Sequence, residues 1–414
     1  MERRAIVINY RNMAVGGIEN YAYQIMKHAM KEDFDVIWFS DPTPIVSSIY
    51  DDVLNSKKLT IVKCDTHKFN WFKHKKLSLN NYERIVLLSF SFFDHLRILE
   101  LIKKEKLRNA VPFLITPHFT GGLIFLEQNF KILRKVIRKN VGKEYFRWVN
   151  SGEMLFLAQN HIDAIENAYN FVIDDNLKRM APEYVERREF IENEVLEKFS
   201  QKPFRIVSAG RFEFPHKGYV LGLIDAVAKI IDEKEDIELV IVGDGRDREQ
   251  VEEKIKSLNP VAKPRVKLLP MMPVKNLLDL YQSCNLSISV AGCASMGARI
   301  GLLTLPARHY TNACEVYGFF PDSKNMTTST KPGYDVIPFI KRVLNMNAKE
   351  YLNLSRAAYD SFDDKKISIN DFIDMNKEYF PYIPSKKVIR KFKIIYYLDK
   401  IVFYINKLEG KKNE

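Results

Sequence analysis

The sequence predicts an α/β protein built from two doubly wound parallel sheets. Short apolar runs alternate with amphipathic helical stretches along both halves, the signature of βαβ units. At 414 residues the chain exceeds one ordinary domain, and two halves of about 200 residues are the natural division. The run Phe204–Gly218 then sets a strand, a glycine turn and two cations in succession. Open α/β sheets bind ligands at such carboxyl ends.

In chain order, Ala5–Tyr10 reads as a strand, Arg11–Gly17 as a loop, Glu19–Met30 as a helix and Asp35–Phe39 as the next strand. Gly16 and Gly17 leave backbone N–H groups at a helix head open to an anion, although an ordinary glycine turn reads the same way. Glu19 complements the helix dipole in either case. Arg84–Ser89 is a strand, Ser91–Lys104 a helix, and Pro112–Thr116 a strand that runs on to His118.

Phe125–Arg147 is expected to be a basic amphipathic helix. Phe125, Leu126, Phe130, Leu133 and Ile137 recur at helical spacing, and the other positions are crowded with Lys and Arg. Such a face suits an anionic membrane surface or plain solvent. Asn170–Ser200, charged and carrying Pro182, reads as the connection between the halves.

The second half opens with strand Phe204–Ser208 and the turn Ala209-Gly210. Arg211 and Lys217 flank a loop holding Pro215, a planar fork and a mobile point charge suited to a pyrophosphate, or two solvated loop cations. Helix Tyr219–Ile231, strand Ile237–Val242, helix Asp247–Leu258, strand Val266–Leu269, helix Val274–Ser283 and strand Leu286–Val290 follow. In the tail, Ser385–Glu414, basic residues sit beside aromatics. That pattern fits an interfacial helix or a helix packed back on the first half.

Net charge is +12, which favours nucleic acid, anionic lipid or phosphorylated ligands as partners. No zinc-finger, recognition-helix or RNA-binding signature accompanies it, so nucleic acid is not expected. Cys64, Cys284, Cys293 and Cys314 show no CxxC spacing, as in a reduced cytosolic chain without a zinc site. No signal-peptide core opens the sequence, and Val111–Leu126 falls short of the roughly 20 residues that span a bilayer.

Taken in order, Gly16-Gly17-Ile18-Glu19, Gly210-Arg211, Lys217-Gly218 and Gly243-Asp244-Gly245 resemble the motifs of family-4 glycosyltransferases of the GT-B fold. The resemblance spans most of residues 1–370. It implies two Rossmann-like domains facing a cleft: 1–185 for the acceptor and 186–380 for a nucleotide-diphosphate sugar, followed by a basic aromatic helix over 381–414. Arg211 and Lys217 would stabilise the departing diphosphate without metal or cofactor, and His118 would lie beside the transferred sugar. Gly210, Gly243, Asp244, Gly245 and Gly292 would line the donor site, and Gly16 and Gly17 the acceptor side.

The family's glutamate pair, in a pattern like "EG…EA…GLP", is missing. Aligning Leu305-Pro306 with "LP" puts Ala291-Gly292 and Arg299 in those places. Arg299 would then reach a phosphate or an acidic sugar, and Glu315 is a candidate substitute carboxylate. The one Asp-x-Asp, Asp33-Phe34-Asp35, precedes a strand, at the wrong end of the sheet for a metal-held donor.

By family association the reaction is a retaining transfer to a lipid-linked or glycan acceptor. The setting is the cytoplasm, on the inner face of the plasma membrane, in bacterial surface polysaccharide synthesis. A catalytically degenerate GT-B scaffold and a sugar-nucleotide epimerase are the alternatives.

Overall fold

The computed structural model describes residues 3–14, 16–65, 68–69, 79–116, 131–157, 159–182, 188–233, 235–362 and 382–408. His118 and residues 125–130 of the basic stretch lie outside them. Two compact units emerge: Met1–Tyr184 with Lys366–Glu414, and Val185–Lys365.

The first unit holds a six-stranded parallel sheet. Its strands are β1 (Arg4–Asn9), β2 (Asp35–Ser40), β3 (Leu59–Lys63), β4 (Arg84–Ser89), β5 (Ala110–Thr116) and β6 (Met154–Phe156), ordered β3-β2-β1-β4-β5-β6. Ile6 pairs with Val36 on one side and Val86 on the other, so the central strand is Val/Ile-rich and buried on both faces. Helices Gly17–Lys31, Phe92–Glu105, Lys131–Asn150 and Gln159–Tyr169 belong to this unit. Ser91 caps the second of them by accepting the Asp94 N–H at 3.2 Å.

Helix Lys386–Leu408 also packs here. Phe392 meets Phe92 with ring centroids 5.0 Å apart, and Tyr396 meets Phe93 at 5.1 Å. Upstream of it, the Tyr382 N–H donates to Glu153 Oε1 at 2.8 Å, while Glu153 Oε2 pairs with His95 Nε2 at 2.8 Å. His95 Nδ1 in turn lies 3.0 Å from Ser89 Oγ. This Ser–His–Glu relay is fully buried and ties the tail to the sheet.

The second unit holds five parallel strands: β7 (Phe204–Ala209), β8 (Ile237–Val242), β9 (Val266–Leu269), β10 (Leu286–Ser289) and β11 (Leu303–Pro306). Their order is β11-β10-β7-β8-β9. Both sheets reverse strand order beside their first strand, between β1 and β4 and between β7 and β10. Such switch points are where open sheets bind ligands.

Candidate functional site

The loop after β7 stands at the switch point of the second unit. Gly210 ends the strand, and the Lys217 side chain folds back across it. A methyl group at Gly210 would lie 3.3 Å from Lys217 Cδ and 3.4 Å from Nζ. Glycine thus gives the ammonium a bare stretch of backbone to lie on.

Among the described residues no carboxylate lies in ion-pair range of Lys217 Nζ. Burial pushes its pKa below the usual lysine range, and the Arg211 charge pushes the same way. Arg211 is itself exposed and held 2.8 Å from Glu213. Ser208, Gly210, Arg211, Lys217 and Tyr219 line a hollow of about 10 Å³, room for about one water.

Opposite, β10 delivers the head of helix Ala291–Arg299. Ala291 takes a left-handed φ of 50°, and its N–H donates to the Thr327 carbonyl at 2.7 Å. The N-cap is Val290, which has no side-chain acceptor for the first turn. A Cβ on Gly292 would meet nothing within 4 Å, so open space lies there. Cys293, in this first turn, feels the Lys217 charge, while burial raises its thiol pKa. β7 and β10 are pinned together by the Ala209 N–H donating to Ser289 Oγ at 3.2 Å. The site is therefore a half-buried lysine, an exposed arginine and an uncapped helix head, a combination that favours anions.

Gly243-Asp244-Gly245 supports this loop. The Phe212 N–H donates to the Asp244 carbonyl at 2.8 Å, and the Phe214 N–H to Asp247 at 2.7 Å. A methyl group at Gly243 would lie 2.3 Å from the Gly210 carbonyl oxygen, and one at Gly245 2.3 Å from that of Phe212. These glycines let two turns touch backbone to backbone.

Three expected contributors are committed elsewhere. Arg299 ends its helix and stacks 4.4 Å over Phe362. A nine-residue helix running from the carboxyl end of β10 to the amino end of β11 carries it about 12 Å from the helix head. Glu315 accepts from Arg308 at 2.9 Å and from the Gly333 N–H at 2.7 Å, which hold its pKa below the usual carboxylate range. In the first unit, the Glu19 carboxylate already covers the glycine loop. A methyl group at Gly16 would lie 2.1 Å from Glu19 Oε2, and the Tyr10 hydroxyl donates to Oε1 at 3.1 Å. An incoming anion would have to displace Glu19.

Asp33 and Asp35 pair with Lys58 and Arg3 at the amino end of β2. Sequence reading passed over Cys293, Val290 and Ser289. The available signal was their place at the end of the strand that neighbours β7.

Residues 189–297 match the family model of glycosyl transferases, group 1. The second unit carries a glycosyltransferase domain. Solved structures share the fold of both units. An Anabaena protein, Alr3699/HepE, in complex with UDP and glucose is 13% identical, covers 90% of this chain and 99% of its own, and has a TM-score of 0.55. The trehalose-6-phosphate protein of E. coli bound with UDP-2-fluoro glucose is 11% identical, covering 92% and 100%, at 0.50. The N-terminal domain of Candida albicans trehalose-6-phosphate phosphatase is 10% identical, covering 87% and 93%, at 0.52. The glycosyltransferase fold is thus GT-B. No curated protein matches the chain by sequence.

Proposed function

We propose that this glycosyltransferase takes a nucleotide-diphosphate sugar as donor and holds the diphosphate between Lys217, Arg211 and the head of helix Ala291–Arg299. The observation that carries the reading is Lys217, a desolvated ammonium lying on a glycine at the switch point, with no carboxylate partner among the described residues.

As the sugar–phosphate bond opens, negative charge builds on the leaving oxygens, and donors already in place stabilise it without reorganising. Fixed cations would do this without metal. A retaining outcome, a lipid-linked or glycan acceptor, bacterial surface polysaccharide as product and a site on the inner face of the plasma membrane extend the reading. They draw on the motif resemblance and on the basic surface of the first unit.

The Anabaena and E. coli structures were solved with UDP and glucose and with UDP-2-fluoro glucose, which makes UDP the first probe. Calorimetric titration of UDP and a panel of nucleoside diphosphates into native and Lys217→Ala protein tests the assignment. Equal affinities would remove it.

A second reading, a membrane-associated scaffold without activity, draws on the carboxylates: Glu315 is taken up by Arg308 and Gly333. Failure of the native chain to bind any nucleoside diphosphate would favour it.

A further inference from the structure

We propose that helix Lys386–Leu408 is a docking element that lies flat on an anionic lipid surface, its outward apolar stripe among the headgroups and its flanking lysines on lipid phosphates. The proposal deepens the membrane placement above and stands apart from the donor site.

One face of this helix is already used. Phe392, Tyr396 and Val402 are buried in the first unit. The opposite face is nonetheless apolar: Ile394 is 63% exposed, Ile401 54%, Tyr404 51%, Ile405 47% and Leu398 43%. At about 100° per residue these positions share an arc of about 120°. A surface helix normally turns polar residues outward, so a continuous exposed stripe marks an interface.

Charge identifies the occupant. Lys386, Lys387 and Arg390 extend the stripe's arc at its first turns, Lys391 runs along one flank and Lys393 along the other, while Lys400 turns its ammonium inward, 4.9 Å over the buried Tyr396 ring. Lys391 is destabilised as a cation by burial and by Lys143 and Lys387. Lys400 is pushed down to about 8 by burial, Arg11 and Arg97. Lys143 comes from helix Lys131–Asn150, whose outer side adds Lys135, Lys139 and the half-exposed Phe146. Like charges gathered this way are relieved by a layer of anions.

Nucleic acid would satisfy the lysines but has no use for three exposed isoleucines. An apolar strip rimmed by cations fits the lipid interface. Among the described residues no helix is long and apolar enough to cross a membrane, so this one would lie on the surface.

The test is co-sedimentation of the full chain with phosphatidylcholine vesicles, with and without phosphatidylglycerol. Native protein should bind only the anionic vesicles and release in high salt. Ile394→Asp with Ile401→Asp, both solvent-facing, should cut binding at least about tenfold. Lys387→Glu with Lys391→Glu should abolish it. UDP titration of each variant checks that the donor site is intact, so loss of docking and loss of the donor reading are separable.

Native-like sedimentation of the isoleucine variant would overturn the proposal. So would equal binding of DNA and vesicles unaffected by the isoleucine change. A concentration-dependent dimer abolished by that change would assign the stripe to a second copy instead.

Discussion

The two sheets share strand order around the switch point but treat it in opposite ways. In the first unit the glycine loop after β1 leads into a helix whose own Glu19 folds over Gly16, so the helix head carries its anion with it. In the second, Val290 leaves the helix head uncapped, and Lys217 is desolvated on Gly210 without a carboxylate in ion-pair range among the described residues, Glu213 acting on it only as a nearby charge. One edge is electrostatically complete and the other is not. A diglycine loop therefore reports backbone access, whereas ligand chemistry depends on whether a local side chain already satisfies the site.

The largest expected effect breaks the incomplete edge. Lys217→Ala should weaken nucleoside diphosphate binding by about 1.5–3 kcal/mol, the range for a charge-assisted contact, as read by calorimetry. Gly243→Ala should follow. Its methyl would sit 2.3 Å from the Gly210 carbonyl oxygen, so overpacking of about 1–3 kcal/mol is expected in denaturant unfolding, with donor affinity falling alongside.

Arg211→Ala should cost less, about 1 kcal/mol of binding, because its guanidinium is exposed and already paired with Glu213. On the complete edge, Glu19→Gln should lower stability by about 0.5–1 kcal/mol and leave nucleotide affinity unchanged. Loss of UDP affinity in that variant would erase the contrast between the units.

Much of the fold was legible because buried parallel strands are near-continuous apolar runs, as in Ile237–Val242 and Arg84–Ser89. Phe204, Gly210, Arg211 and Lys217 could be read because a strand, a turn and cations are contiguous in the chain. The commitments of Glu315 and Arg299 were not legible. Arg308 and Gly333 for the one, and Phe362 for the other, reach them only through tertiary packing. The support role of Gly243 was hidden for the same reason, since its tight neighbour is Gly210, thirty-odd residues away. In the tail, sequence left open whether the aromatics face protein or membrane. Packing divides them, with Phe392 and Tyr396 inward and Tyr404 outward.

If Lys217 is the group that meets the donor's diphosphate, its protonation must follow binding. Its pKa is depressed in the free protein, so a bound anion must raise it again. Affinity is then full at pH values below the free-protein pKa and declines as pH rises through it, with protons taken up on binding in that interval. UDP calorimetry in buffers of different ionisation enthalpy, between neutrality and the ordinary lysine range, measures that uptake directly. Native protein should take up net protons on binding, and Lys217→Arg, which stays charged and binds to higher pH, should take up none. Identical proton counts and pH profiles in the two proteins would contradict that role for Lys217.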